Sequence, residues 1–175
     1  MLDLYTLYER NEAFAATFDK GHLPIKPNFA TVILTCIDAR VVPAHFAGLE
    51  LGDAHTMRTV GGRVTSRVAL EVSMLWMLMS LQNPKPSMEL AIIHHTDCGM
   101  SRFADPEVAA AVTERFGSDY VVDTYAFTDP AESLAADVSR LRDSDLVPRE
   151  LRVSGHVYDV RTGRLTKQIE AVRIG

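Results

Sequence analysis

Side chains capable of metal and acid–base chemistry fall in two short segments of the chain. The first reads Cys-Ile-Asp-Ala-Arg at 36–40, and the second reads His-Thr-Asp-Cys-Gly at 95–99. Two thiolates and one imidazole form a good ligand set for zinc, and three protein ligands leave a fourth position open for chemistry. Asp38 could take that position or accept a proton from water there. Arg40 could hold the Asp38 carboxylate by a charge-assisted, bidentate hydrogen bond.

Two other uses of the cysteines compete with a metal site. Cys36 and Cys98 are the only cysteines of the chain, so they could form a disulfide bond with each other. Alternatively, His95 could activate either thiol as a catalytic nucleophile. Thiols stay reduced in the cytosol, and cytosolic proteins more often use such cysteines for metal binding or catalysis. The residues therefore favour zinc bound by Cys36, His95 and Cys98 without excluding the alternatives.

The composition is that of a folded protein rather than a disordered one. The chain has 175 residues, of which 47% are hydrophobic and 23% charged, and we treat residues 1–175 as a single domain. The formal net charge of -5 gives no overall attraction to nucleic acid or to an anionic membrane. The N-terminus lacks a basic region followed by an apolar block, so we expect a cytoplasmic protein.

Both cysteines follow a predicted strand. Residues 30–35 (ATVILT) form a short, nearly continuous apolar run that ends at Cys36, and residues 88–95 (MELAIIHH) end shortly before Cys98. In an open α/β sheet, sites form in the crevice beyond the carboxyl ends of the strands. Parallel neighbouring strands would therefore bring the two segments together.

The remaining elements predict the fold class. Further strands are expected at 54–60, 152–160 and 164–172, and helices at 2–18, 65–81, 106–116 and 130–142. Strands that alternate with helices predict an α/β fold with a mostly parallel central sheet flanked by helices. The turn at Thr162 and Gly163 predicts a C-terminal hairpin that adds an antiparallel edge. We expect the apolar helix 65–81 to be buried, with Met74 and Met77 in the core.

The two motifs together resemble a known signature. C-x-D-x-R followed by H-x-x-C-G, in this order and at this separation, resembles the signature of the β-carbonic anhydrase family, which includes hydrolases of carbonyl sulfide and carbon disulfide. Residues 58–62 (RTVGG) resemble the family's Arg-x-x-Gly-Gly turn, and residues 153–165 resemble its terminal strands. The likeness covers nearly the whole chain.

The resemblance implies a zinc lyase that hydrates carbon dioxide reversibly to bicarbonate by means of a zinc-bound hydroxide. It assigns one zinc ion per subunit to Cys36, His95 and Cys98, and it makes Asp38 and Arg40 the pair that controls the fourth position. It also implies a homodimer or homotetramer, in which the N-terminal helix within residues 1–20 packs on a partner subunit.

The resemblance places five residues in the substrate pocket, namely Thr59, Val60, Gly61, Gly62 and Gly99. The family commonly has Asn and Ala at the positions of Thr59 and Val60, so the pocket here is expected to be narrower or differently polar. Hydrolysis of carbonyl sulfide or carbon disulfide to hydrogen sulfide and carbon dioxide at the same zinc is therefore an alternative. A zinc-binding homologue without turnover is a third hypothesis.

The neighbours of the ligands have less defined roles. His94 and His95 point to opposite faces of a strand, so we expect His94 to face the core while His95 binds the metal. Thr96 and Asp97 either orient the groups around the metal or cap the turn, and the sequence leaves this open.

Overall fold

Five strands form one mixed sheet in the computed structural model, which describes residues 3–175. The strands are β1 (Thr31–Cys36), β2 (His55–Thr59), β3 (Glu89–His95), β4 (Arg152–Tyr158) and β5 (Leu165–Arg173). Their order in the sheet is β2-β1-β3-β4-β5, and all neighbours are parallel except β4 and β5. The predicted mostly parallel sheet with an antiparallel C-terminal edge is confirmed.

Helices flank this sheet. They are α1 (Leu4–Ala15), α2 (Pro43–Phe46), α3 (Ser66–Gln82), α4 (Pro106–Phe116), α5 (Tyr120–Tyr125) and α6 (Pro130–Arg142), with short 3-10 helices at Val60–Gly62 and Gly99–Ala104. Two of the predicted helices begin at a capping aspartate. The Asp105 carboxylate accepts hydrogen bonds from the first turn of α4, and the Asp129 carboxylate does the same for α6.

The hydrophobic core lies between one face of the sheet and helices α3 and α6. Apolar side chains of β1, β3 and β4 pack there against residues of both helices, including Val32, Leu34, Leu90, Ile92, Val153, Val68, Val72, Leu134 and Leu141. All of these are buried. The core therefore fixes β1 and β3, the two strands that lead into the candidate ligands.

Helix α3 is not buried throughout, so that prediction is wrong. Its buried residues are Val68, Ala69 and Val72, whereas Met74 is 56% exposed and Met77 64% exposed. The helix is apolar on nearly every face, and such a pattern predicts burial without saying whether the covering surface belongs to the same chain. Neither Met74 nor Met77 belongs to the core.

Helix α1 also presents an apolar surface. Leu2, with which the predicted helix 2–18 begins, lies outside the described residues, as does Met1. The helix begins after Asp3, whose carboxylate accepts a hydrogen bond from the Thr6 amide at 2.8 Å. None of its described residues is buried.

Among residues 3–175, no helix combines the length and apolar character needed to cross a bilayer.

The topology creates a crevice between β1 and β3. The chain leaves β1 towards β2 on one side, and it leaves β3 towards β4 on the other. The ends of these two adjacent parallel strands therefore lie at a switch point, where the connecting loops diverge and leave room for a site. Cys36 ends β1 and His95 ends β3.

Candidate metal centre

The three predicted ligands converge at the end of this crevice. The sulfur atoms of Cys36 and Cys98 and a ring nitrogen of His95 all lie within 4.8 Å of one another. Cys36 and His95 are held by paired strands, whereas Cys98 precedes the 3-10 helix that starts at Gly99. All three residues are buried. The backbone of the sheet thus brings together donors that are distant in sequence.

A hydrogen bond determines which nitrogen of the His95 ring carries the proton. Its Nδ1 lies 2.9 Å from the carbonyl oxygen of Thr96. A carbonyl only accepts, so Nδ1 carries the proton and the lone pair of Nε2 is free to bind a metal. Within residues 3–175, Nε2 is buried and has no hydrogen-bond partner. Because such an atom is costly to leave unsatisfied, a cation between Nε2 and the two sulfurs fits this donor set.

The two cysteines are free thiols. A hydrogen bond from Cys98 lowers the pKa of Cys36 to about 4, and the same hydrogen bond raises the pKa of Cys98. One sulfur is therefore readily ionised, and a divalent cation would favour the thiolate form of both. Because Cys36 is only 3% exposed and Cys98 only 4% exposed, the pair is better placed to bind a metal than to attack a substrate.

Asp38 and Arg40 form the predicted bidentate pair beside the ligands. Arg40 donates from Nε to Asp38 Oδ1 at 3.0 Å and from Nη2 to Oδ2 at 2.8 Å. The backbone amide of Arg40 adds a hydrogen bond of 2.9 Å to Oδ1. Hydrogen bonding from the Arg40 side chain lowers the pKa of Asp38 to about 2. The carboxylate is therefore ionised at neutral pH and directed at the guanidinium.

The Gly-Gly turn lies directly against the first ligand strand. Gly61 and Gly62 have φ angles of 67° and 69°, which residues with a side chain rarely adopt. A Cβ atom on Gly62 would lie 3.1 Å from the backbone nitrogen of Cys36 and 3.3 Å from Cδ2 of His94. The two glycines therefore permit a close approach that no larger residue would allow.

The other predicted pocket residues, Thr59, Val60 and Gly99, each have a different environment near this turn. Thr59 donates its hydroxyl to the carbonyl of Arg63 at 3.0 Å, so its polar group is engaged within the turn. Val60 is 37% exposed. Apart from the residues next to it in the chain, nothing described lies within 4 Å of the position where Gly99 would carry a Cβ, so open space adjoins Gly99.

Arg58 holds the first ligand segment, a role that sequence analysis did not assign. Its Nε donates to the carbonyl of Cys36 at 3.0 Å. Its Nη2 donates at 2.7 Å to the carbonyls of both Asp38 and Val41. The only signal in the sequence was the place of Arg58 at the start of the RTVGG segment.

A buried charged cluster lies behind the site, and sequence analysis missed it. We call Arg63, His94 and Asp137 the inner cluster. The Asp137 carboxylate lies 3.1 Å from Arg63 Nε and 3.0 Å from His94 Nε2. The ring of Phe127 lies under the Arg63 guanidinium and belongs to the same buried apolar cluster as Cys36 and Cys98. His94 thus faces the core, as expected, and the cluster borders the metal centre from within.

Comparison with known proteins identifies the family. A family model described as carbonic anhydrase matches residues 31–165, a span that contains all three candidate ligands. Beta-carbonic anhydrase 1 of Mycobacterium tuberculosis is 29% identical over 160 residues, which cover 91% of this chain and 94% of that protein. The chain belongs to the β-carbonic anhydrase family. This confirms the resemblance found in the sequence.

The family relatives include enzymes with different named activities. A carbon disulfide hydrolase of Acidianus sp. is 31% identical over 183 residues, covering 91% of this chain and 85% of the relative. A crystal structure of carbonic anhydrase from Streptococcus mutans superposes with a TM-score of 0.75 and 35% identity, covering 95% of this chain and 99% of that one. Membership of the family therefore leaves more than one reaction to be considered.

Proposed function

We propose that the protein catalyses the reversible hydration of carbon dioxide to bicarbonate with one zinc ion per chain. The observation that carries this proposal is the convergence of Cys36, His95 and Cys98, with a buried imidazole nitrogen that has no other partner among the described residues. Two sulfurs and one nitrogen match a catalytic zinc site, which keeps one position open.

In this mechanism, Cys36, His95 and Cys98 hold the metal. When bound, zinc would acidify a coordinated water molecule and so supply a nucleophile for carbon dioxide near neutral pH. Asp38 accepts a hydrogen bond from the reacting water, and it is kept ionised by Arg40. By holding both carboxylate oxygens, Arg40 would also keep Asp38 from binding the metal. The pair would thus determine whether that position is free for substrate.

The substrate would bind next to the Gly-Gly turn. Gly62 lets the backbone lie against Cys36, and Gly61 lets it pack against Met100. The open space beside Gly99 lies next to the third ligand. Val60, which is partly exposed, would add an apolar wall suited to a linear, uncharged molecule. In this assignment Thr59 shapes the pocket through its hydrogen bond to Arg63 rather than by contacting substrate.

A second candidate function is the hydrolysis of carbonyl sulfide or carbon disulfide at the same metal. The identity with the Acidianus carbon disulfide hydrolase favours it. These substrates are linear and apolar like carbon dioxide, so the same ligands would serve. A zinc-binding homologue without turnover is less well supported, because the hydrogen bonds between Asp38 and Arg40 are intact.

Parallel assays on one zinc-loaded preparation test these candidates. Stopped-flow carbon dioxide hydration would be run beside sulfide release from carbonyl sulfide and from carbon disulfide, with the Asp38→Asn variant as the control for background. Fast hydration with little sulfide supports the carbonic anhydrase. Rapid sulfide release with feeble hydration would replace it with the hydrolase, and no turnover in any assay would favour the silent homologue.

We further propose that the enzyme is a cytoplasmic homodimer or a dimer of dimers. Helix α1 has no buried residue among those described, and α3 presents Met74, Met77 and Leu78 to solvent in a single chain. Apolar surfaces of this kind mark protein interfaces. Packing of α1 on a partner subunit would cover them, and the two free thiols suit a reducing compartment.

Light scattering after size exclusion tests the assembly. Leu78→Glu places a charge on the exposed face of α3, where Leu78 is 56% exposed, and it should reduce the molar mass to that of one chain without unfolding it. Glu71→Gln on the same helix is the matched control and should leave the mass unchanged. A monomeric parent protein would overturn the assembly proposal.

A further inference from the structure

Arg40 uses two edges of its guanidinium group at once. The edge formed by Nε and Nη2 holds Asp38, as described above. The end formed by Nη1 and Nη2 holds Asp97, because Nη1 donates to Asp97 Oδ2 at 2.9 Å and Nη2 donates to the Asp97 carbonyl at 2.9 Å. Arginine is suited to this arrangement because its five donors lie in a rigid plane. Each of the two aspartates is thus held through two oxygen atoms.

These hydrogen bonds connect the two ligand-bearing segments. Arg40 follows Cys36 in the first segment, and Asp97 lies between His95 and Cys98 in the second. Asp97 has a φ of 55°, the only positive value recorded for a residue other than glycine within 3–175. Asp and Asn tolerate this conformation better than most residues. We call Asp38, Arg40 and Asp97 the outer bridge.

The second segment is anchored on its other side as well. The Thr96 amide donates to the carbonyl of Tyr158 at 3.0 Å, and the Thr96 hydroxyl accepts from the Val160 amide at 3.1 Å. Thr96 therefore ties this segment to the end of β4. The Asp97 contact with Arg40 is the corresponding link to the segment that follows β1. Thr96 and Asp97, whose roles the sequence left open, therefore have different partners.

We propose that Asp97 is a positioning residue of the metal centre that acts through Arg40. By closing the outer bridge, it keeps the two ligand segments together when one metal ligand detaches, so that the ligand rebinds before zinc escapes. It also fixes the guanidinium in the orientation that holds Asp38. This inference rests on the proposed zinc function, but its principal test requires no substrate.

The exposure of the bridge separates this role from a general contribution to folding. The Arg40 side chain is 47% exposed and that of Asp97 is 58% exposed. Ion pairs of this kind contribute little to overall stability. In contrast, partners of the residues around a metal commonly change metal affinity or activity by about 10- to 100-fold when they are removed. Removal of the Asp97 carboxylate is therefore expected to change metal binding without changing the overall stability of the fold.

Zinc release is the direct test. The zinc-loaded parent protein and its Asp97→Asn and Asp97→Gly variants would be mixed with excess chromogenic chelator, and the rate of zinc transfer would be followed by absorbance. Both substitutions tolerate the positive φ, so folding should be preserved and Tm should change by less than about 3 °C. We expect release to be about 10-fold faster in both variants. Glu170→Gln, which removes an exposed carboxylate that pairs with Lys167 on the edge strand β5, should not change the release rate.

A double-mutant cycle shows whether Asp97 acts through Arg40. In an Arg40→Gln background, Asp97→Asn should cause no further acceleration of release, because the bridge is already absent. If the acceleration persists in that background, Asp97 acts directly on the metal by its charge and the proposal is wrong. Unchanged release in Asp97→Asn alone would also overturn it.

Turnover supplies a second readout. For carbon dioxide hydration, Asp97→Asn should lower kcat by about 10-fold with little change in KM, since Arg40 would no longer be fixed beside Asp38. If the parent enzyme has no hydration activity, the proposed function fails while the zinc-release result still decides the role of Asp97. Equal kcat in the parent and the variant would contradict the positioning of Arg40.

Discussion

Two clusters of the same chemistry, aspartate with arginine, border the metal centre from opposite sides. In the outer bridge, the side chains of Arg40 and Asp97 are 47% and 58% exposed. In the inner cluster, those of Arg63 and Asp137 are 3% and 0% exposed. The outer bridge joins the two ligand segments at the mouth of the site. The inner cluster joins α6 and the Gly-Gly turn to the end of β3 beneath the site.

The difference in exposure gives the two clusters different uses. Water screens the outer charges, so their hydrogen bonds can break and re-form at small cost, as the role proposed for Asp38 and Arg40 requires. The charges of the inner cluster are buried, so water does not screen them. Burial lowers the pKa of Arg63, and the Asp137 carboxylate opposes that shift. Removing Asp137 would leave the buried Arg63 guanidinium unpaired, so this cluster stabilises one arrangement of the fold.

Asp137→Asn should have the largest effect, because it breaks the inner cluster. The substitution keeps the shape of the side chain but leaves the Arg63 guanidinium without its countercharge. We expect a loss of about 3–5 kcal/mol in the free energy of unfolding, measured by urea denaturation followed by circular dichroism. Asp97→Asn is the matched control in the outer bridge and should cost less than about 1 kcal/mol. Equal losses in the two variants would contradict the distinction between the clusters.

Asp38→Asn tests whether the outer bridge is needed for turnover rather than for folding. The variant should retain zinc and stability but lose carbon dioxide hydration by about 100-fold in kcat, because the neutral amide lacks the negative charge with which Asp38 accepts a hydrogen bond from the reacting water. Zinc content, the free energy of unfolding and stopped-flow rates would be measured on the same preparation. Unchanged turnover would remove Asp38 from the mechanism.

The smallest effect expected here is a change in the titration of Asp38 when Arg40 is replaced by Gln. In the parent protein the pKa of Asp38 is about 2, below its ordinary value of 3.8. The ionised form therefore contributes stability above the ordinary value, and this contribution is lost as the pH falls through about 2. Without the guanidinium the pKa of Asp38 should rise towards 3.8, although the backbone hydrogen bond still lowers it.

Carboxyl carbon NMR of the metal-free protein would measure this titration. Asp38 should show no midpoint above about pH 3 in the parent protein and a midpoint above it in Arg40→Gln. A Glu170→Gln sample provides the control, since Glu170 lies on the edge strand β5 and its carboxylate pairs with Lys167 rather than with Arg40 or Asp38. The same midpoint in all three proteins would show that Arg40 does not set the ionisation of Asp38.

Local sequence patterns predicted the sheet and the convergence of the ligands. The apolar run before Cys36 and the run before His95 form β1 and β3, and the rule for parallel strands was enough to place their ends together. The pairing of Asp38 with Arg40 was also predictable, because the two residues are close in sequence and opposite in charge. In these cases the information lies within a few residues.

Features that depend on distant residues were not predictable. Arg63 and Asp137 are 74 positions apart, and neither position carries a local signal for the other. Helix α5 was missed because it has only six residues and its preceding Asp119 makes no side-chain capping bond. The exposed face of α3 was expected to be buried, since hydrophobicity alone does not distinguish a core from a surface that a second chain covers.

The metal content of ligand variants tests the central claim most directly. Inductively coupled plasma mass spectrometry would be applied to the purified parent protein and to its Cys36→Ser, Cys98→Ser and His95→Asn variants, with His22→Asn as the control at an exposed histidine. We predict about one zinc ion per chain in the parent and the control, and less than about one tenth of that in each ligand variant. Retention of one zinc per chain in any ligand variant would contradict the assignment of Cys36, His95 and Cys98.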